Sequence, residues 1–152
     1  MSTDFGWVAD TMQASVPWVN TAGVEFKEVS PERVIASLPD VETQRNHVGG
    51  PHAAVIFGLG ETASGAIALA GFAATMDRAT PLVARAEIDY RKLATGALTA
   101  EAVLSRPPAE VLAELDGGNR PEFAVRVTIR NAEGATTAEM NVVWTLRPNR
   151  AG

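Results

Sequence analysis

Residues 51–75 read PHAAVIFGLGETASGAIALAGFAAT, and the reading of this stretch decides the fold. Ala, Gly and Ser recur nearly all round a helical projection, with Ile56, Phe57, Leu59, Ile67, Leu69 and Phe72 between them. A helix with so little polar face is buried on most sides, so the spacing predicts one long core helix over 51–75, with Pro51 at its first position. The same length and apolarity suit a membrane span. Glu61 at mid-helix, which would cost about 2.5–3.5 kcal/mol to insert, and the shortage of Leu and Ile argue against that, so no membrane is expected.

Working outward, Ser2 or Thr3 is the candidate cap of a short N-terminal helix with Phe5, Val8 and Met12 on one side, ending near Pro17. Two β-like runs, 24–30 and 33–39, flank a turn at Ser30-Pro31-Glu32. After Pro81 the period changes to two. Ala84, Ala86, Ile88 and Tyr90 alternate with Arg85, Glu87, Asp89 and Arg91, as in a half-exposed strand. Leu98, Ala100, Ala102 and Leu104 alternate again. Pro107-Pro108 opens a helical turn over 109–116, closed by Gly117-Gly118. Phe123, Val125, Val127 and Ile129 make another strand. A turn at Asn131-Ala132-Glu133-Gly134 leads into the last, with Ala138, Met140, Val142, Trp144 and Leu146 on one face. A sheet with one apolar face must be covered, and the long helix is the available cover. The expected class is α+β, a long central helix wrapped by a curved antiparallel sheet.

The 152 residues fit one domain of the usual size, about 100–150 residues, so the expectation is a single domain over 1–152 with an N-terminal helical segment over 1–20 and a core over 22–148. The absence of cysteine excludes disulfides, thiolate zinc sites and cysteine nucleophiles together. A net charge of −5 argues against nucleic acid, whose phosphates demand clustered Lys and Arg. The first ten residues lack a basic stretch followed by an apolar one, which makes the cytoplasm the expected compartment.

Two features are able to do chemistry. Glu61 lies on the most apolar helix of the chain, and a buried carboxylate is costly unless it is paired or given a task. An exposed or inter-subunit stripe is the plainer reading of it. The loop Asn46-His47-Val48-Gly49-Gly50-Pro51 leads into a helix whose first-turn N–H groups lack helical partners and suit a carbonyl oxygen or an anion. From the first turn to Glu61 is eight or nine residues, about 12–13 Å along the axis. One scissile carbonyl cannot touch both. If both serve one reaction, the second comes from another copy of the chain across a two-fold axis, so a catalytic reading implies a dimer.

Other constellations fail. Ser64 is about three turns from His52, too far for a nucleophile–base pair. His47 and His52 lack the helical i, i+4 placement of a zinc pair, so no metal is expected. No Gly-rich phosphate-binding fingerprint follows a strand. Arg85, Arg91, Lys92 and Arg126 read as a solvated sheet face, from which some side chains are able to meet phosphates.

Asn46-x-x-Gly49-x-x-His52, with Glu61 further along the helix, resembles the signature of hot-dog-fold acyl-CoA thioesterases of the phenylacetate-degradation (PaaI-like) type. Ile88-Asp89-Tyr90-Arg91 is similar to that family's strand after the helix, and the resemblance runs from about Gly23 to Pro148. It implies a hot-dog fold and hydrolysis of an acyl-CoA or acyl-carrier thioester. It implies no cofactor, CoA entering as part of the substrate, and a homodimer that the family often pairs into a tetramer. Carried over residue by residue, the Ala53 N–H meets the thioester oxygen and Asn46 and His52 orient substrate or water. Gly49, Gly50 and Ala54 complete the binding surface. Glu61 of the other subunit acts as general base, or as nucleophile through an anhydride. The sequence departs from the family where Ala53 and Ala54 replace the two glycines that usually follow the histidine. The backbone donor survives, while the room beside it shrinks. That departure keeps open a non-catalytic acyl-CoA or lipid-binding module. A hot-dog β-hydroxyacyl-thioester dehydratase using His47 and Glu61 is the other alternative, although the proline pattern of that family is missing.

Overall fold

The period-two runs of the C-terminal half become four strands of one antiparallel sheet, three inside it and the first at its edge. A computed structural model describes residues 4–150; Ser2 and Thr3, the expected caps, lie outside the described residues. The elements are α1 (Gly6–Ser15), α2 (Pro17–Ala22), β1 (Glu25–Val29), β2 (Val34–Leu38), α3 (Ala53–Gly71), β3 (Ala79–Tyr90), β4 (Leu98–Leu104), α4 (Pro108–Asp116), β5 (Glu122–Arg130) and β6 (Thr136–Pro148). Six strands form one sheet in the order β1-β2-β4-β5-β6-β3, each pair antiparallel.

The alternation sets the buried face. Phe123, Val125, Val127 and Ile129 of β5 and Ala138, Met140, Val142, Trp144 and Leu146 of β6 are all buried. Each large apolar side chain so buried contributes about 1.5–3 kcal/mol. Helix α3 crosses this face against β2, β4 and β5, and Ala36, Ala100 and Ala102 leave room for it. Gly60 is bare because a Cβ there would collide with the Met140 sulfur. By length and composition α3 would pass for a membrane span, with a mean hydropathy of 1.6. Here eleven of its residues are buried inside the fold, the place of a core helix.

Four expectations need correction at their edges. Pro51 is not the first residue of α3: it is buried and bridged to Arg45, and His52 caps the helix in an extended conformation. The long helix ends at Gly71, and residues 73–75 form a separate 3₁₀ turn in which the Thr75 hydroxyl donates to the Phe72 carbonyl. Strand β3 starts at Ala79, ahead of Pro81. It lies at the sheet edge, where a proline's missing N–H can be tolerated. The N-terminal helix stops at Ser15, and a second helix, started by Pro17, runs on to Ala22 and closes on Gly23 at φ +77°.

Candidate active site

Asn46 builds the loop before α3. Its Oδ1 accepts the N–H groups of Val48 (3.0 Å) and Gly50 (3.1 Å), and its Nδ2 donates to the Pro51 carbonyl (3.3 Å). Its backbone N–H donates to the Gly50 carbonyl at 2.7 Å. The side chain expected to orient substrate therefore first braces its own loop, with one Nδ2 hydrogen left over. Gly49 takes φ +81°, the left-handed region that favours glycine. Gly50 is fixed by packing, because a Cβ there would collide with the Ala94 carbonyl oxygen. The pressed-in loop turns the chain so that α3 starts in solvent: His52, Ala53 and Ala54 are exposed.

The His52 backbone does the capping. Its N–H donates to the Gln44 carbonyl at 2.9 Å, and its own carbonyl accepts from Val55 and Ile56. The Ala53 and Ala54 N–H groups donate to no acceptor among the described residues, as expected for a first helical turn. Ala53 lines a cavity of about 290 Å³ together with Asn46, Ile56, Tyr90, Arg91, Lys92 and Leu93. Tyr90 reaches over from the end of β3, its hydroxyl donating to the Ala53 carbonyl at 2.9 Å.

Glu61 is half-buried further along α3, and its carboxylate has no hydrogen bond or ion pair among the described residues. Gly58 and Gly65, three before and four after, share its side of the helix. The ring of Trp18 lies so close to Gly58 that no Cβ fits, and a Cβ at Gly65 would meet Met12 and Trp144 at 3.4 Å. Burial pushes the Glu61 carboxyl above its ordinary value of 4.5, the direction a proton acceptor near neutrality requires. Ser64 is fully buried; its hydroxyl donates to the Glu61 carbonyl at 2.6 Å and accepts from the Trp144 indole at 2.9 Å.

The structure thus gathers Asn46, Gly49, Gly50, Ala53 and Ala54 at one end of α3. It leaves Glu61 eight residues beyond Ala53, about 12 Å along an unbroken helix. His52 and His47 have exposed side chains without hydrogen bonds among the described residues. No group of three or more potential metal ligands occurs among the described residues. Of the basic candidates, Arg85 pairs with Glu122, and Arg91 with Asp89 and Glu139. Lys92 and Arg126 have no ion pair among the described residues. Arg126 lines a larger groove on the sheet with Glu87, Asp89 and Glu139, too acidic to suit an anionic carrier. Sequence reasoning missed Trp18 and Tyr90 as neighbours of the two half-sites. For Trp18 the only signal was the glycine pair framing Glu61.

A long helix held in a six-stranded antiparallel sheet is the hot-dog fold, and solved thioesterase structures share it across nearly the whole chain. PA5026 from Pseudomonas aeruginosa, described as a protein of unknown function and probable thioesterase, matches with a TM-score of 0.85 at 22% identity, covering 98% of this chain and 99% of that one. A thioesterase family protein from Silicibacter pomeroyi matches at 0.78 and 16% identity, over 96% and 100%. A mutant of thioesterase PA1618 from P. aeruginosa matches at 0.77 and 13% identity, over 98% and 97%. Residues 7–146 match the family model described as a domain of unknown function, DUF4442, and the chain belongs to that family. No curated protein matches.

Proposed function

We propose that the protein hydrolyses the thioester of an acyl-CoA or acyl-carrier substrate at a site shared between two subunits. Glu61 carries the reading: a half-buried carboxylate without a partner among the described residues, on an apolar helix, with its pKa raised by burial. Nothing in the packing explains a carboxylate there, and a proton-transfer task does.

In the reaction, the thioester oxygen lies at the start of α3, where the Ala53 N–H donates to it as negative charge develops. Such a donor is worth about 2.7–4 kcal/mol in the transition state. Glu61 of the partner subunit takes a proton from water as the water oxygen bonds to the carbonyl carbon. Collapse of the tetrahedral adduct breaks the carbon–sulfur bond, and the thiolate recovers the proton from Glu61. Alternatively the carboxylate bonds to the carbonyl carbon and expels the thiolate, and water then cleaves the mixed anhydride to restore the carboxylate and release the acid. Lys92, which lines the cavity and has no ion pair among the described residues, is a candidate cation for an anionic carrier.

Two observations support a second copy. The 12 Å between the half-sites is too long for one carbonyl. In addition, β3 is a 12-residue edge strand whose outer side pairs with no strand among the described residues, leaving backbone groups free to pair with another strand.

The test is thiol release over a panel of acyl-CoA substrates, with Glu61→Gln beside the wild type. Release that Glu61→Gln abolishes is the expected result. No release from any substrate, with binding intact, turns the reading to a non-catalytic acyl-CoA-binding protein. Hydration of an enoyl thioester that depends on His47 turns it to a dehydratase.

A further inference from the structure

Tyr90 is the one tyrosine of the chain, and the mechanism above gives it no task. Its ring spans from the end of β3 to the first turn of α3, and its hydroxyl donates to the Ala53 carbonyl at 2.9 Å. The residue is 49% exposed, so packing alone does not account for its place. The strand end that carries it is anchored: Tyr90 pairs with Ala138, and the N–H groups of Arg91 and Lys92 both donate to the Thr137 carbonyl, at 2.8 and 3.1 Å.

The Ala53 carbonyl and the Ala54 N–H are opposite ends of one planar peptide group. The α3 hydrogen-bond ladder already sets that plane, and the Tyr90 hydroxyl adds a second bond to the same carbonyl, which steadies it and the direction of the Ala54 N–H. That second bond also draws electron density toward the oxygen, which strengthens the N–H as a donor. The Ala54 N–H is one of the two amides at this helix start without an acceptor among the described residues. We propose that Tyr90 is a positioning residue, which acts through the Ala53–Ala54 peptide group to hold and polarise the Ala54 amide as a second donor to the substrate carbonyl. This rests on the thioesterase reading of the site, and it adds Ala54 to Ala53 as a working donor.

The experiment compares wild type, Tyr90→Phe and protein in which 3-fluorotyrosine replaces the single tyrosine, assayed where the phenol is still protonated. In Tyr90→Phe, kcat falls about 3- to 10-fold, the effect of one net hydrogen bond, while KM stays within about twofold. The Ala54 amide proton moves upfield in the free protein. In the fluorinated protein, whose phenol is a stronger donor, the same proton moves downfield. A purely structural tyrosine would change melting without this split between kcat and KM. An unchanged kcat in Tyr90→Phe, on a substrate the wild type turns over, overturns the proposal, as does an Ala54 shift that ignores both replacements. Should the wild type release no thiol, the thioesterase reading fails by itself, and the Ala54 shifts still decide whether Tyr90 positions that amide. If Tyr90→Phe does not fold, the fluorinated protein alone decides it.

Discussion

The Trp144 indole donates to the Ser64 hydroxyl at 2.9 Å, and that hydroxyl in turn donates to the Glu61 carbonyl at 2.6 Å. One buried chain of two hydrogen bonds thus ties the last strand to the turn of α3 that carries Glu61. Ser64→Ala leaves the Trp144 N–H buried without an acceptor, at a cost of about 1–3 kcal/mol. Each kcal/mol lowers the melting temperature by about 2–4 °C in a chain of this size. Calorimetry checks the drop, and thiol release per folded molecule persists. Its loss in fully folded protein would make the hydroxyl a participant in the chemistry.

The burial of Glu61 makes a pH prediction for stability. Because its carboxyl titrates above 4.5 when folded, the folded state binds more protons than the unfolded between 4.5 and the raised value. Stability therefore falls as pH rises through that window and stays reduced above it. Glu61→Gln removes this cost, so the variant melts higher than wild type at pH 7, and its advantage fades as the pH falls through the raised value and is gone below 4.5. Melting curves across pH 3–8 measure it. A Glu61→Gln variant that melts lower at neutral pH would mean the carboxylate is held by favourable contacts. In the same range, activity with Glu61 as general base falls as acid protonates it.

Gly50 is pressed against the Ala94 carbonyl, and that contact seats the loop braced by Asn46. Gly50→Ala forces one of the two backbones to shift, a strain of about 1–3 kcal/mol. The expected outcome is a lower melting temperature with a loss of thiol release larger than the fold defect explains. At Gly49, which needs φ +81°, alanine is also strained, yet nothing lies within 4 Å of the added carbon. The two variants thus separate backbone strain from steric contact. Equal activity in both would show that the Ala94 contact does not govern the site.

The half-exposed strands were legible because burial on one face leaves alternating residues, as in β5 and β6. The long helix was legible because burial all round leaves only small and apolar ones. Proline was the misleading signal. Pro51 suited a helix start but is tied to Arg45 instead, and Pro81 sits inside β3 because an edge strand spares the N–H it lacks. Glu61 stood out as a charge among apolar neighbours. Trp18 and Tyr90 did not, since each meets α3 from an element remote in the chain, and such contacts leave no spacing to read.

The central claim is that one site takes its first helical turn from one chain and Glu61 from another. Subunit mixing tests it most directly. Glu61→Gln and Asn46→Ala chains, each inactive alone, are combined, exchanged and assayed for thiol release. Random pairing makes half of the dimers mixed, each with one intact site, so the account predicts recovery of about a quarter of wild-type activity. Mixed dimers demonstrated by native mass spectrometry, but with no activity above that of the separate variants, would contradict it.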